Sequence, residues 1–63
     1  MSKELAEKLR AAIVASGYSA NQLAKETGVD QTTISRFLRG KDMGIERAGK
    51  IAKFLGLELR ETK

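Results

Sequence analysis

The sequence predicts an all-α fold, a compact bundle of four or five short helices within 63 residues. Three observations support this prediction. Apolar residues recur every three or four positions, which is the period of an amphipathic helix. Residues that cap helix N-termini precede several of these segments. The chain contains no proline, and glycines stand where the apolar pattern stops, as they do at the C-terminal ends of helices.

The helices are predicted over residues 3–16, 20–27, 31–39 and 45–55, in one domain that covers residues 1–63. Ser2 can cap the first helix, whose apolar stripe contains Leu5, Leu9, Ala12, Ile13 and Ser16. The four helices are expected to end at Gly17, Gly28, Gly40 and Gly56.

The second and third helices are joined by a predicted three-residue turn. Ser19 and Gln22 have the spacing of a capping box at the start of the second helix. Gly28 can adopt the left-handed conformation that ends this helix, and Asp30 can cap the third helix. The inward residues of the third helix are expected to be Ile34, Phe37 and Leu38.

The fourth helix is predicted to turn Ile45, Ala48, Ile51, Ala52 and Leu55 toward the core. Gly49 lies inside it and costs roughly 1 kcal/mol relative to alanine, so we expect a neighbouring helix to approach closely there. Residues 57–63 first alternate apolar and charged side chains. This tail could form a strand that pairs across a two-fold axis, continue as a fifth helix, or fray; a strand or a frayed end is favoured.

Composition excludes several classes of function. The chain has no Cys and no His, so it lacks thiolate ligands, the usual general base and the commonest nitrogen ligand for metals. We therefore expect neither an enzyme nor a bound cofactor. The net charge is +4, which suits a polyanionic partner. No apolar run reaches the ~20 residues of a membrane span, and the first residues lack the apolar core of a secretory signal, which predicts a cytoplasmic location.

The outward face of the third helix is polar and basic. It carries Gln31, Thr32, Ser35, Arg36 and Arg39 and no acidic residue. Two capped helices, a tight turn and such a face are typical of a helix-turn-helix whose second helix reads DNA. Arg36 could bind guanine O6 and N7, and Gln31 could bind adenine N6 and N7. Alternatively, Arg36 is a solvated side chain paired with Asp30 or Asp42.

The sequence resembles the Cro/C1-type helix-turn-helix domains, the lambda-repressor-like or XRE family. Four segments carry the resemblance: LAEKLR at residues 5–10, YSANQLAKETGV at 18–29, QTTISRFLRGK at 31–41, and IAKFLGL at 51–57. Each is weak alone, but together they have the spacing of the family. The resemblance implies a bundle of four or five helices with the third in the major groove.

The resemblance also implies roles for individual residues. Gln31, Thr32, Ser35 and Arg36 correspond to positions that contact bases and nearby phosphates in the family. Arg39 and Lys41 correspond to positions where the following loop contacts the DNA backbone. Many members carry glutamine where this chain has Ala20, so Asn21 or Gln22 would have to make that phosphate contact.

The function implied by the resemblance is sequence-specific binding of double-stranded DNA by a transcriptional regulator, a repressor that acts as a homodimer on a palindromic operator. The alternative is an antitoxin or adaptor module whose main partner is another protein. The environment of Phe54, Leu57 and Leu59 distinguishes the two, because an exposed apolar strip would favour a protein partner.

Overall fold

The computed structural model describes residues 2–57 and contains four helices there. They are α1 (Lys3–Ser16), α2 (Ala20–Thr27), α3 (Gln31–Leu38) and α4 (Ile45–Leu55). No strand occurs among the described residues, and the all-α class is confirmed. None of these helices is long and apolar enough to cross a membrane. The predicted alternatives for the tail concern residues 57–63, of which only Leu57 lies within the described part.

The core draws on all four helices. Helix α2 packs most extensively against α3, and α4 packs against both α1 and α2. The largest fully buried side chains are Leu9, Ile13, Leu23, Ile34, Phe37 and Ile51. Since the buried face of α3 belongs to this shared core, the orientation of its opposite face is set by the rest of the bundle.

The end of α3 differs by one residue from the prediction. The helix was expected to include Arg39 but ends at Leu38. The amide of Gly40 donates to the Phe37 carbonyl at 3.0 Å, and that of Lys41 donates to the Arg36 carbonyl at 3.0 Å. These two bonds form a Schellman motif, with Gly40 at φ 110 in the left-handed position. This motif turns the chain away from the helix axis directly after Arg39.

Two side chains predicted to face the core do not. Ile45 is 49% exposed at the first position of α4, while Met43 from the preceding loop is buried in the core. Ser16 is exposed, and its hydroxyl donates to the Ile13 carbonyl at 2.6 Å. Both residues lie at helix ends, where the neighbouring helices no longer cover the apolar stripe.

The expectation of a close helix approach at Gly49 is wrong. A Cβ atom placed there would meet no atom of another element within 4 Å. Gly49 has no positive φ angle either. The structure therefore contains no packing or backbone requirement for glycine at this position.

Replacing Gly49 by alanine should stabilise the protein. The added methyl group has room, and alanine loses less backbone entropy than glycine in a helix interior, so the free energy of unfolding should rise by about 0.5–1 kcal/mol. Urea denaturation followed by circular dichroism measures this change.

Gly28→Ala is the matched control. Its φ of +79 lies in the left-handed region, so the same substitution should lower the free energy of unfolding. Equal effects of the two substitutions would contradict this account of the glycines.

Candidate nucleic-acid interface

Hydrogen bonds between the Thr27 hydroxyl and the backbone hold the turn between α2 and α3. The Thr27 hydroxyl donates to the Leu23 carbonyl at 2.6 Å and accepts from the Val29 amide at 3.2 Å. Gly28 has a φ of 79 and a ψ of 3, which lets the chain leave α2. Val29 is buried in the core. The turn thus has little freedom, and it fixes the direction in which α3 begins.

Side-chain caps begin both helices, as their sequences predict. At α2 the Ser19 hydroxyl accepts from the Gln22 amide at 3.1 Å, and the Gln22 side-chain oxygen accepts from the Ser19 amide at 2.9 Å. At α3 an Asp30 carboxylate oxygen accepts from the Thr33 amide at 3.3 Å. Because the capping box uses the Gln22 side-chain oxygen, the Nε2 amide group is the part of this side chain that can donate to a phosphate.

The two faces of α3 differ sharply in polarity. Ile34 and Phe37 have no exposed surface. The other side carries what we call the α3 polar face, which consists of Gln31, Thr32, Ser35, Arg36 and Arg39. Ser35 is half-buried, and the other four side chains are exposed. All four predicted base-contacting residues therefore share one side of the helix.

The predicted phosphate-contacting residues lie at the edges of this face or beside α3 in the chain. Asn21 and Gln22 are exposed in the first turn of α2, and Arg39 and Lys41 are exposed directly after α3. All four side chains can donate hydrogen bonds, and the latter two also carry positive charge. The arrangement offers donors and cations to a polyanion.

Arg10 is a structural residue of this region that the sequence interpretation missed. Its Nε donates to the Phe37 carbonyl at 2.5 Å, and its Nη2 donates to the Lys41 carbonyl at 3.1 Å. Its guanidinium carbon also lies 4.5 Å from the centroid of the Phe37 ring. These contacts place a positive charge at the C-terminal end of α3, where the helix dipole favours it.

One signal in the sequence could have indicated this role. Arg10 lies four positions after Ala6 and three before Ile13, and both of these are buried. An arginine at such a position must turn its guanidinium toward the protein or along the edge of the core. Here it reaches the loop that carries Lys41, so it links α1 to the end of α3.

No group of three or more Asp, Glu, His or Cys residues with the arrangement of a metal site occurs between residues 2 and 57. In the same range, no buried side-chain nitrogen or oxygen lacks a hydrogen-bond partner. The polar side chains that the described fold leaves facing solvent include those of the α3 polar face.

Arg10→Met should destabilise the protein, because it removes two hydrogen bonds from a charged group to backbone carbonyls together with the contact to the Phe37 ring. A hydrogen bond to a charged group contributes about 1.5–3 kcal/mol net. Because the bond to the Lys41 carbonyl is exposed to water and adds less, we expect the free energy of unfolding to fall by roughly 1–3 kcal/mol. Urea denaturation provides the measurement.

Lys8→Met is the matched control, since Lys8 is exposed on the same helix and the substitution also removes one positive charge. It should change the free energy of unfolding by less than about 0.5 kcal/mol, as surface substitutions usually do. A wild-type denaturation midpoint for Arg10→Met would refute the assigned role.

Comparison with protein families gives a match over most of the chain. The family model HTH_3, described as helix-turn-helix, matches residues 9–61 and so covers most of the chain. Curated proteins and solved structures give no significant match. The matched range contains the capped turn, the α3 polar face and the four predicted phosphate-contacting residues.

Proposed function

The chain belongs to the Cro/C1-type helix-turn-helix family, and we propose that it is a transcriptional repressor that binds specific sequences of double-stranded DNA. The family is one of DNA-binding regulators. The proposal adds that residues 1–63 act as a single helix-turn-helix domain in the cytoplasm, and that α3 lies in the major groove.

The observation that carries the proposal is the division of α3 into two faces. Ile34 and Phe37 are fully buried and Leu38 is partly buried. The polar face has donors, acceptors and two arginines but no carboxylate. Burying such a surface against an apolar partner has an unfavourable free energy, because its donors would lose water without gaining a hydrogen-bond acceptor. The surface suits the edges of base pairs, which offer both donors and acceptors.

The proposed base contacts follow from side-chain chemistry. Arg36 binds guanine O6 and N7, and Gln31 binds adenine N6 and N7. Thr32 and Ser35 can each donate or accept, so they complete contacts to either type of base pair. Ser35 is half-buried, which limits its reach to a base directly beneath the helix.

The proposed phosphate contacts lie on both sides of α3 in the chain. The side-chain amides of Asn21 and Gln22 contact the backbone from the first turn of α2, and Arg39 and Lys41 contact it from the end of α3. These contacts hold the protein in register, while the bases supply specificity. The net charge of +4 favours association with the DNA polyanion.

The short length of α3 favours a homodimer on a palindromic operator. Its eight residues span about 12 Å, which covers roughly four base pairs at 3.4 Å each. So few base pairs cannot select one site among ~10⁶–10⁹ competing genomic sites. Two copies related by a two-fold axis would read half-sites about 34 Å apart, one helical turn of DNA.

Selection from a pool of random duplexes tests this proposal. The purified protein is mixed with the pool at two salt concentrations, the bound fraction is sequenced, and affinities are measured by fluorescence anisotropy. We expect a palindrome with half-sites about ten base pairs apart and an affinity that falls steeply as salt rises. Weak binding without an enriched sequence would contradict the proposal.

A second candidate function rests on an apolar patch far from α3 in the chain. The Tyr18 and Phe54 rings pack edge to face with centroids 5.1 Å apart, yet Tyr18 is 40%, Phe54 37% and Leu57 40% exposed. Exposed apolar patches favour a protein partner, as in an antitoxin or adaptor. Leu59, the third residue of the predicted strip, lies outside the described residues. Failure of the duplex selection would favour this function.

Arg36→Ala should relax specificity at one position of the selected site. Loss of a bidentate contact to guanine should weaken the binding free energy by ~1–3 kcal/mol for a duplex with guanine at that position. The loss should be much smaller for duplexes with another base there. Anisotropy with duplexes that vary each base pair in turn measures this pattern. An equal loss with every duplex would contradict the base-contacting role.

Lys41→Ala is the contrasting variant. A lysine that contacts only phosphate should weaken binding to all duplexes alike, and its loss should reduce the slope of log K against log salt by about 1. Titrations over a series of salt concentrations give that slope. A slope equal to that of the wild type would exclude the phosphate contact.

A further inference from the structure

A groove lies beside the α3 polar face, between α3, the following loop and the start of α4. Its volume is about 610 Å³. Thr33 and Arg36 line it from α3, and Arg47 lines it from α4; Lys41, Asp42, Met43 and Gly44 complete it from the loop. We call it the α3–α4 groove. Because Arg36 belongs both to this groove and to the polar face, the two surfaces are continuous.

The charges around the groove favour an anion. Arg36, Lys41 and Arg47 bring three positive charges to it, and Asp42 brings one negative charge. An Asp42 carboxylate oxygen accepts a hydrogen bond from the Gly44 amide at 3.3 Å. That contact holds the carboxylate against the loop backbone and partly compensates its charge, so the groove as a whole is positive.

The position of Arg47 has no explanation within the helix that carries it. It is the third residue of α4, and a cation in the first turn of a helix is opposed by the helix dipole. Its Nη1 donates to the Met43 carbonyl at 3.5 Å, which directs the side chain back toward the loop and the groove. A guanidinium has five N–H donors, so this single bond leaves donors for a second ligand.

We propose that the α3–α4 groove binds one phosphate of the DNA backbone and that Arg47 is a direct ligand of that phosphate. The inference rests on the proposed function and adds a contact from α4, a helix outside the helix-turn-helix itself. A guanidinium matches the two non-bridging oxygens of a phosphodiester with paired hydrogen bonds. Since Arg36 lines the same groove, this phosphate lies next to the base pair that Arg36 contacts and fixes the register of α3 on it.

Arg47→Ala and Lys50→Ala form the test pair. Both residues are exposed on α4, and each substitution removes one positive charge, but only Arg47 lines the groove. With the selected duplex and a scrambled one, we expect Arg47→Ala to weaken binding roughly 5-fold at 0.15 M salt and to reduce the salt slope by about 0.9, the loss of one counterion. Lys50→Ala should leave the salt slope unchanged, and Arg47→Lys should keep the slope of the wild type because it keeps the charge.

A duplex series with one neutral methylphosphonate, moved along the backbone step by step, locates the phosphate. At one step on each half-site the substitution should weaken the wild type and Lys50→Ala about 5-fold, as expected for one lost counterion. It should weaken Arg47→Ala clearly less, because only the positive charges of Lys41 and Arg36 then remain in the groove. Matching circular dichroism spectra and denaturation midpoints establish that the variants are folded.

Two results overturn the inference. If the wild type binds the duplex but Arg47→Ala behaves as Lys50→Ala does, Arg47 is not a phosphate ligand, and the proposed function stands. If the wild type shows no salt-dependent duplex binding at all, the proposed function fails and the inference fails with it.

Discussion

Arg10 reaches from α1 to the end of α3, where it donates to the Phe37 and Lys41 carbonyls and lies over the Phe37 ring. Helix α3 packs mainly against α2, so without this contact its C-terminal end would be held to α1 only weakly. Phe37 itself is fully buried. The ring anchors α3 in the core, and the arginine fixes how the chain leaves the helix. The position of Lys41 relative to the polar face depends on this arrangement.

The start of α3 is constrained by a different set of interactions. Thr27, Gly28 and Val29 determine the path of the turn, and the Asp30 carboxylate satisfies the Thr33 amide. With both ends held, the polar face of α3 is presented by a rigid element. Such preorganisation reduces the entropy lost on binding, which matters for a domain that offers only a short helix to its partner.

Local patterns accounted for most of the fold because this chain marks its helices clearly. Ser2, Ser19 and Asp30 cap the helices that follow them, and left-handed glycines end α1, α2 and α4. The predicted end of α3 was one residue too late, because Arg39 takes the cap position between Leu38, the last helical residue, and the left-handed Gly40. The residues of the polar face could be placed on one side of α3 from the 3.6-residue period alone.

What the sequence could not indicate depends on contacts between distant segments. Periodicity places Arg10 at the edge of the core, but it carries no information about which carbonyls the side chain reaches, and these lie 27 and 31 positions away. Met43 lies between the predicted helices 31–39 and 45–55, outside any apolar stripe, although it is buried in the core. The role expected for Gly49 was wrong because a glycine shows only that the side chain is absent. The distance from Gly49 to the nearest helix is set by how the helices pack, and no neighbour lies close to it. Arg47 was not singled out, because its place in the groove follows from how α4 is oriented.

The most direct test of the central claim, that the polar face of α3 contacts DNA, is a nuclear magnetic resonance titration of the isotope-labelled protein with its selected duplex. We expect the largest changes in chemical shift at the amides of residues 31–41 and at the Arg36 side chain, with small changes at Tyr18, Phe54 and Leu57. The largest changes at that apolar patch, with α3 unaffected, would contradict the account.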